Sequence, residues 1–230
     1  MLKLATDAEE RQGAELMAWW RGEGAAPVLE RRDEALLLER ATGAGSLVAM
    51  ARNGQDEAAT RIICAAVAKL HEPRKRPPPS TLVPLAEWFQ ALEPMARLRG
   101  GVLLKSLTAA QSLLASPRDE VVLHGDIHHE NVLDFGAAGW LAIDPKGLLG
   151  ERGYDYANLI CNPDSETALA PGRLARQVAV TCDAAGLERQ RMLSWVLAYA
   201  GLSASWTLED GKDASPALAI AEIAVAELEA

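Results

Sequence analysis

Residues 121–145 read VVLHGDIHHENVLDFGAAGWLAIDP and hold three of the chain's four histidines, His124, His128 and His129. The same stretch holds Asp126, Asn131 five positions later, and Asp144 thirteen beyond that. A carboxylate, an amide and a second carboxylate in this order suit the transfer of a phosphoryl group to a hydroxyl. A hydroxyl is a poor nucleophile and the transferring group is strongly anionic. The reaction therefore needs a carboxylate to orient the hydroxyl and accept its proton, and divalent cations to neutralise the phosphates. Asp126 fits the first role. Asn131 and Asp144 fit the second, because magnesium takes a few oxygen ligands and keeps waters and phosphate oxygens. The spacing is that of the D-x-x-x-x-N phosphotransfer loop with its later metal aspartate, and Gly125 stands where that loop usually has arginine. The histidines with Glu130 offer a second chemistry, zinc ligation, although Gly125 speaks against the helix that an H-x-x-x-H site uses.

These residues must be positioned by the elements around them. Met1 to Leu4 reads as a short strand and residues 6–20 as a helix capped by Thr6 or Asp7, with apolar residues at helical spacing. Ala26–Leu29 and Ala35–Leu38 read as a hairpin across the polar turn Glu30–Glu34. The stretch ATGAGS, residues 41–46, is a small flexible connector and the best lobe boundary, giving segments 1–42 and 43–230. Helices are expected at 56–70, 84–93 and 102–116, and again near 172–186, 188–206 and 215–229. Between these two groups, the site is expected on loop and strand. HEPRKRPPPS, residues 71–80, reads as a solvated proline-rich linker. Glu151, Asp155 and Asn158 read as capping and loop-bracing residues. Trp19, Trp20, Trp88, Trp140 and Trp195 read as packing residues. Trp206 with Glu209 and Asp210 has two readings, a core tryptophan beside a polar turn or an aromatic and two carboxylates that suit a polycationic sugar.

Composition narrows the function. At 230 residues, 49% hydrophobic and 24% charged, the chain has the make-up of one domain or two small lobes. A net charge of −9 argues against general nucleic-acid binding and suits a small cationic substrate. Cys64, Cys161 and Cys182 have no C-x-x-C spacing and read as reduced thiols. No apolar run approaches the ~18–20 residues of a membrane span, and the N-terminus has no long apolar segment of the signal-peptide kind. The expectation is a cytoplasmic protein without membrane or nucleic-acid partners.

LHGDIHHENVL and GWLAIDPKGLLGERGYDYANL resemble the aminoglycoside and hydroxyurea phosphotransferases of the streptomycin 6-kinase type. The likeness continues upstream in GAELMAWWRGEGAAPVL and ALLLER and downstream in LAYAGLSASW, so it spans nearly the whole chain. The resemblance implies an α+β, two-lobed protein-kinase-like fold with a mainly helical C-terminal lobe. It also implies ATP- and magnesium-dependent O-phosphorylation of a small molecule such as streptomycin. By the same resemblance Asp126 is the catalytic base, and Asn131 and Asp144 are magnesium ligands. Lys3 grips the nucleotide phosphates. Glu10 is the best match for the glutamate that pairs with Lys3, with Glu9 and Glu15 close by as alternatives, and Glu39 to Ala41 form the hinge that meets adenine. Kinase-like folds carry a glycine-rich phosphate loop before the lysine strand. With the lysine at residue 3, the expectation is an N-terminal lobe truncated by that loop and its strands. A non-catalytic binding protein of the same fold is the rival reading.

Overall fold

The computed structural model describes residues 1–230. The chain opens with strand β1 (Leu2–Leu4), helix α1 (Ala8–Trp20) and the hairpin β2 (Val28–Arg32) and β3 (Ala35–Leu38). These strands form one antiparallel sheet in the order β1-β3-β2, with Lys3 opposite Leu36. Helix α1 starts two residues later than expected. Asp7 is its cap and accepts the Glu10 N–H at 2.8 Å, while the Glu10 carboxylate reaches back to the Thr6 N–H at 2.9 Å. This reciprocal arrangement satisfies donors that a helix start leaves free. The hairpin turn is tighter than the sequence suggests. Arg31 and Arg32 pair with Leu36 and Ala35, a bulge falls between Val28 and Glu30, and Asp33 turns the chain at φ +49°.

After the irregular connector 39–46 come α2 (Leu47–Arg52), whose Ser46 cap the sequence reading passed over, and α3 (Asp56–His71). The expected helix at 84–93 is broken into several pieces. A two-residue strand β4 (Val83–Pro84) leads into α4 (Leu85–Trp88), a 3₁₀ turn, and α5 (Leu92–Arg99). Helix α6 (Val102–Ala115) precedes strands β5 (Glu120–Leu123), β6 (Val132–Asp134), β7 (Trp140–Ala142) and β8 (Leu148–Glu151). Strand β8 was not foreseen. It pairs antiparallel with β5 and parallel with β4, while β6 and β7 pair only with each other. Helices α7 (Gly153–Ile160), α8 (Ser165–Ala168), α9 (Arg173–Ala185), α10 (Arg189–Glu209) and α11 (Ser215–Glu229) complete the chain. None of the helices is long and apolar enough to cross a membrane.

One apolar core runs through both segments, from Leu16, Met17 and Trp20 of α1 to Trp195 and Ala204 of α10. The segments are also joined by main-chain bonds. Ala26 N–H donates to the Ala142 carbonyl at 2.9 Å, and Ala142 N–H to Gly24 at 3.0 Å. The proline-rich stretch is mostly exposed, as expected, but it is anchored rather than free. Arg74, its side chain only 5% exposed, donates to the carbonyls of Leu70 and Glu23, and Arg74 and Arg76 both lie against the Trp19 ring. These arginines satisfy carbonyls at the ends of α3 and α1, so the stretch ties the two helices together.

Candidate active site

The loop between β5 and β6 carries Asp126 and Asn131, and Asp144 follows β7. Asp155, wholly buried on α7, fixes the loop. Its carboxylate accepts the His124 N–H at 3.0 Å, the Gly125 N–H at 2.8 Å, and His71 Nε2 lies 2.8 Å away. Burial alone would raise its pKa, but His71, His124 and the loop N–H groups outweigh burial and hold it below its ordinary value. His124 sits 2.7 Å from the Ile143 carbonyl through Nε2, and its Nδ1 accepts the Asp126 N–H at 3.2 Å. It thus ties the loop to the strand that delivers Asp144. Gly125 has φ +88°, and a Cβ there would stand 2.8 Å from the Leu148 side chain. An arginine at that position would strain the backbone and collide with β8.

The side chains singled out by spacing meet here. Asn131 Nδ2 donates to the Asp126 carbonyl at 2.9 Å, which leaves its amide oxygen without a protein partner. Asp144 sits in the left-handed region at φ +56° and accepts Lys3 Nζ at 2.8 Å through Oδ1. A non-glycine residue held there stores about 1–3 kcal/mol of strain, typical of functional positions. The free amide oxygen of Asn131 and the second oxygen of Asp144 are hard oxygen donors of the kind that could hold magnesium. Asp126 Oδ1 accepts Asn158 Nδ2 at 3.0 Å, and Asn158 in turn accepts the Tyr199 hydroxyl at 2.7 Å and Asn162 Nδ2 at 2.8 Å.

Glu10 does not pair with Lys3. Its carboxylate is spent on Thr6, and Lys3 reaches Asp144 directly. The α1 carboxylate that faces the cleft is Glu9, which pairs with Lys146. Burial works against the Lys146 charge, but Glu9, Asp126 and Asp144 outweigh it and raise its pKa. At the expected hinge, Glu39 N–H is taken by the Pro27 carbonyl at 2.9 Å, whereas Ala41 N–H makes no main-chain bond and is free for a ligand. The histidines do not converge on a metal. His124 is committed as described, His129 is buried with both ring nitrogens unpartnered, and His128 Nε2 lies 4.0 Å from Asp126. No group of three His, Cys, Asp or Glu side chains is arranged to hold a metal. Zinc ligation is therefore set aside.

Asp126 opens onto a cavity of about 810 Å³. Trp206, Glu209 and Asp210 line it, with Glu9, Glu87, Trp88, Tyr154 and Tyr199. Trp206 both packs and lines, since its ring meets Trp88 edge-on at 5.4 Å. A second cavity of about 420 Å³ shares Asp126 and Tyr199 and is walled by Asp164 and Asp213. The sequence reading missed Glu87 and Tyr199, and it placed Glu9 only as a neighbour of Glu10. Asn158 it took for bracing only, although Asp155 and Asn158 share one face of α7 at i, i+3 spacing.

The fold has solved counterparts. A choline/ethanolamine kinase family protein from Mesorhizobium loti superposes with a TM-score of 0.70 at 16% identity, covering 100% of this chain and 82% of that one. An aminoglycoside phosphotransferase from Streptomyces rimosus, solved in complex with ADP and streptomycin, gives a TM-score of 0.59 at 19% identity over 88% of this chain and 84% of that one. At these identities the likeness speaks to the α+β protein-kinase-like fold alone. A streptomycin 3″-kinase of Klebsiella pneumoniae is 50% identical over 216 residues, 92% of this chain and 80% of that protein. Fold and sequence together define a phosphotransferase with an alcohol group as acceptor. The model of the aminoglycoside/hydroxyurea antibiotic resistance kinase family matches residues 1–211, and the chain belongs to that family.

Proposed function

We propose that the chain transfers the γ-phosphoryl group of ATP to a hydroxyl of streptomycin or a closely similar aminoglycoside in the cytoplasm. The observation that carries this reading is the placement of Asp126 at the mouth of an acidic, aromatic-walled cavity. Glu87, Glu209 and Asp210 would meet the cationic guanidinium groups of the acceptor, and Trp88 and Trp206 would lie against them. The 50% identity to a streptomycin 3″-kinase favours the 3″ hydroxyl as acceptor.

Asp126 orients that hydroxyl and takes its proton as the new O–P bond forms, and the electron pair of the broken P–O bond leaves with ADP. Asn131 and Asp144 would hold magnesium, which would neutralise charge on the phosphates. Lys3 holds the α- and β-phosphates, and the main chain from Glu39 to Ala41 receives adenine. We place the lobe boundary at the connector, between residues 42 and 43. The small sheet has three strands, with β1 at its edge. The rival reading is a binding protein of the same fold without turnover.

Incubation with ATP, magnesium and streptomycin, followed by mass analysis of the antibiotic, separates the two. Phosphorylated streptomycin is expected, with kcat falling roughly 10²–10⁴-fold in Asp126→Asn. Unmodified antibiotic beside a protein that streptomycin stabilises against heat would establish the binding protein instead. Equal rates in wild type and Asp126→Asn would remove Asp126 from the mechanism.

A further inference from the structure

Lys146 is the one cation among the side chains that line the large cavity, where Glu9, Glu87, Asp126, Glu209 and Asp210 supply the carboxylates. For a polycationic acceptor an ammonium at this place is a repulsion. It sits beside Gly125 and Asp126, two residues beyond Asp144, where the acceptor hydroxyl and the phosphoryl group must meet. Its position is built rather than incidental. Lys146 N–H donates to the His124 carbonyl at 2.7 Å, and its ammonium pairs with Glu9 of α1. The flanking residues are pinned by the same helix. A Cβ on Gly13 would lie 2.2 Å from the Pro145 carbonyl oxygen, and Gly147 approaches Gln12.

We propose that Lys146 is a catalytic residue that contacts the non-bridging oxygens of the transferring phosphoryl group, with Glu9 holding it in place. The inference rests on the phosphotransfer reading above. Lysine has three N–H donors. Glu9 engages part of that capacity, and the rest is free to meet the charge that spreads over the phosphoryl oxygens in the transition state. The bond changes are unaltered: the acceptor oxygen bonds to phosphorus, its proton passes to Asp126, and ADP leaves with the electron pair. Lys146 gives up no proton. Because the contact is made to the anion and not to the acceptor, it acts on kcat and opposes acceptor binding.

The test is steady-state kinetics with ATP, magnesium and streptomycin on wild type, Lys146→Gln, Lys146→Met and Lys146→Arg, each checked for folding by thermal melt. Glutamine keeps a hydrogen bond to Glu9 but loses the charge, so a purely structural lysine would tolerate it. The expected result is a fall in kcat of about 10²-fold for Lys146→Gln and Lys146→Met. KM for streptomycin should stay unchanged or drop, and Lys146→Arg should recover most of the loss. The methionine variant decides the matter if the glutamine variant does not fold, and the reverse. A kcat within threefold of wild type in a folded neutral variant, or a rise in KM alone, overturns the role of Lys146 and leaves the phosphotransfer reading intact. Absence of turnover in the wild type overturns both.

Discussion

Asp126 depends on its neighbours for direction. Its Oδ1 accepts Asn158 at 3.0 Å, and Asn158 is held from two further sides by Tyr199 and Asn162. An amide held this way has one orientation, with its NH₂ toward the carboxylate and its oxygen toward the tyrosine. Asn158 is thus a positioning residue on the proposed mechanism, and truncating it frees the base without removing it. A lost hydrogen bond to a charged group amounts to roughly 1.5–3 kcal/mol. Asn158→Ala is expected to lower kcat by about 10–100-fold, with KM for streptomycin near wild type. The melting temperature should be lowered by several degrees, because a buried amide that also holds Tyr199 and Asn162 is lost. Tyr199→Phe should do the same more weakly, since it releases Asn158 and not Asp126. Kinetics of the two variants decide this, and an Asn158→Ala enzyme with normal kcat would show that Asp126 needs no such support.

Helix α1 carries the link between the small sheet and the site, and its rotation decides which glutamate faces the cleft. Gly13 sets that rotation by admitting the Pro145 carbonyl against the helix backbone. In an ordinary exposed helix Gly→Ala stabilises by about 1 kcal/mol. Here the added methyl has nowhere to go, so Gly13→Ala is expected to destabilise by about 1–3 kcal/mol and to reduce activity as Glu9 and Lys3 move away from Lys146 and Asp144. A denaturant melt gives the sign, and stabilisation would show that α1 is free to shift. This dependence explains what the sequence could and could not convey. Asp126, Asn131 and Asp144 were legible because their chemistry lies in local spacing on one loop and one strand end. The choice between Glu9 and Glu10 was not, because it follows from packing between residues more than 130 positions apart. The same holds for the stretch 71–80, where prolines and arginines look solvated until Trp19 and the open carbonyls of two helix ends are brought beside them. Strand β8 was missed because Leu148–Glu151 is short and needs β4 and β5 to exist as a strand.

Across the whole molecule, two buried carboxylates join segments distant in the chain, and both tie stability to pH. Asp155 links α7 to the catalytic loop and to α3 through His71. Glu151, at the end of β8, accepts Arg191 Nε of α10 at 2.6 Å, Trp195 Nε1 at 2.8 Å and the Arg118 N–H at 2.9 Å. For Glu151 burial opposes ionisation, but these donors outweigh it and hold the pKa below its ordinary 4.5. A carboxylate with a lowered folded-state pKa contributes stability that is fully present above the unfolded value. That contribution is lost as the pH falls through the folded one, because the unfolded chain then binds the extra proton. Both carboxylates act in the same sense, and so do His124 and His129, whose pKa burial lowers, in the case of His129 to about 4. Stability should therefore begin to fall below about pH 6.5 as the unfolded histidines take up protons, and fall further below about 4.5 as the carboxylates join them. Glu151→Gln tests the share of one of them. It leaves Arg191 without its charge partner and should cost about 3–5 kcal/mol at pH 7. It should also reduce the dependence of melting temperature on pH between about 5 and 3, where Asp155 and His129 would continue to titrate. If the variant melts lower at pH 7 yet keeps the wild-type slope, Glu151 stabilises by packing and its ionisation does not drive acid unfolding.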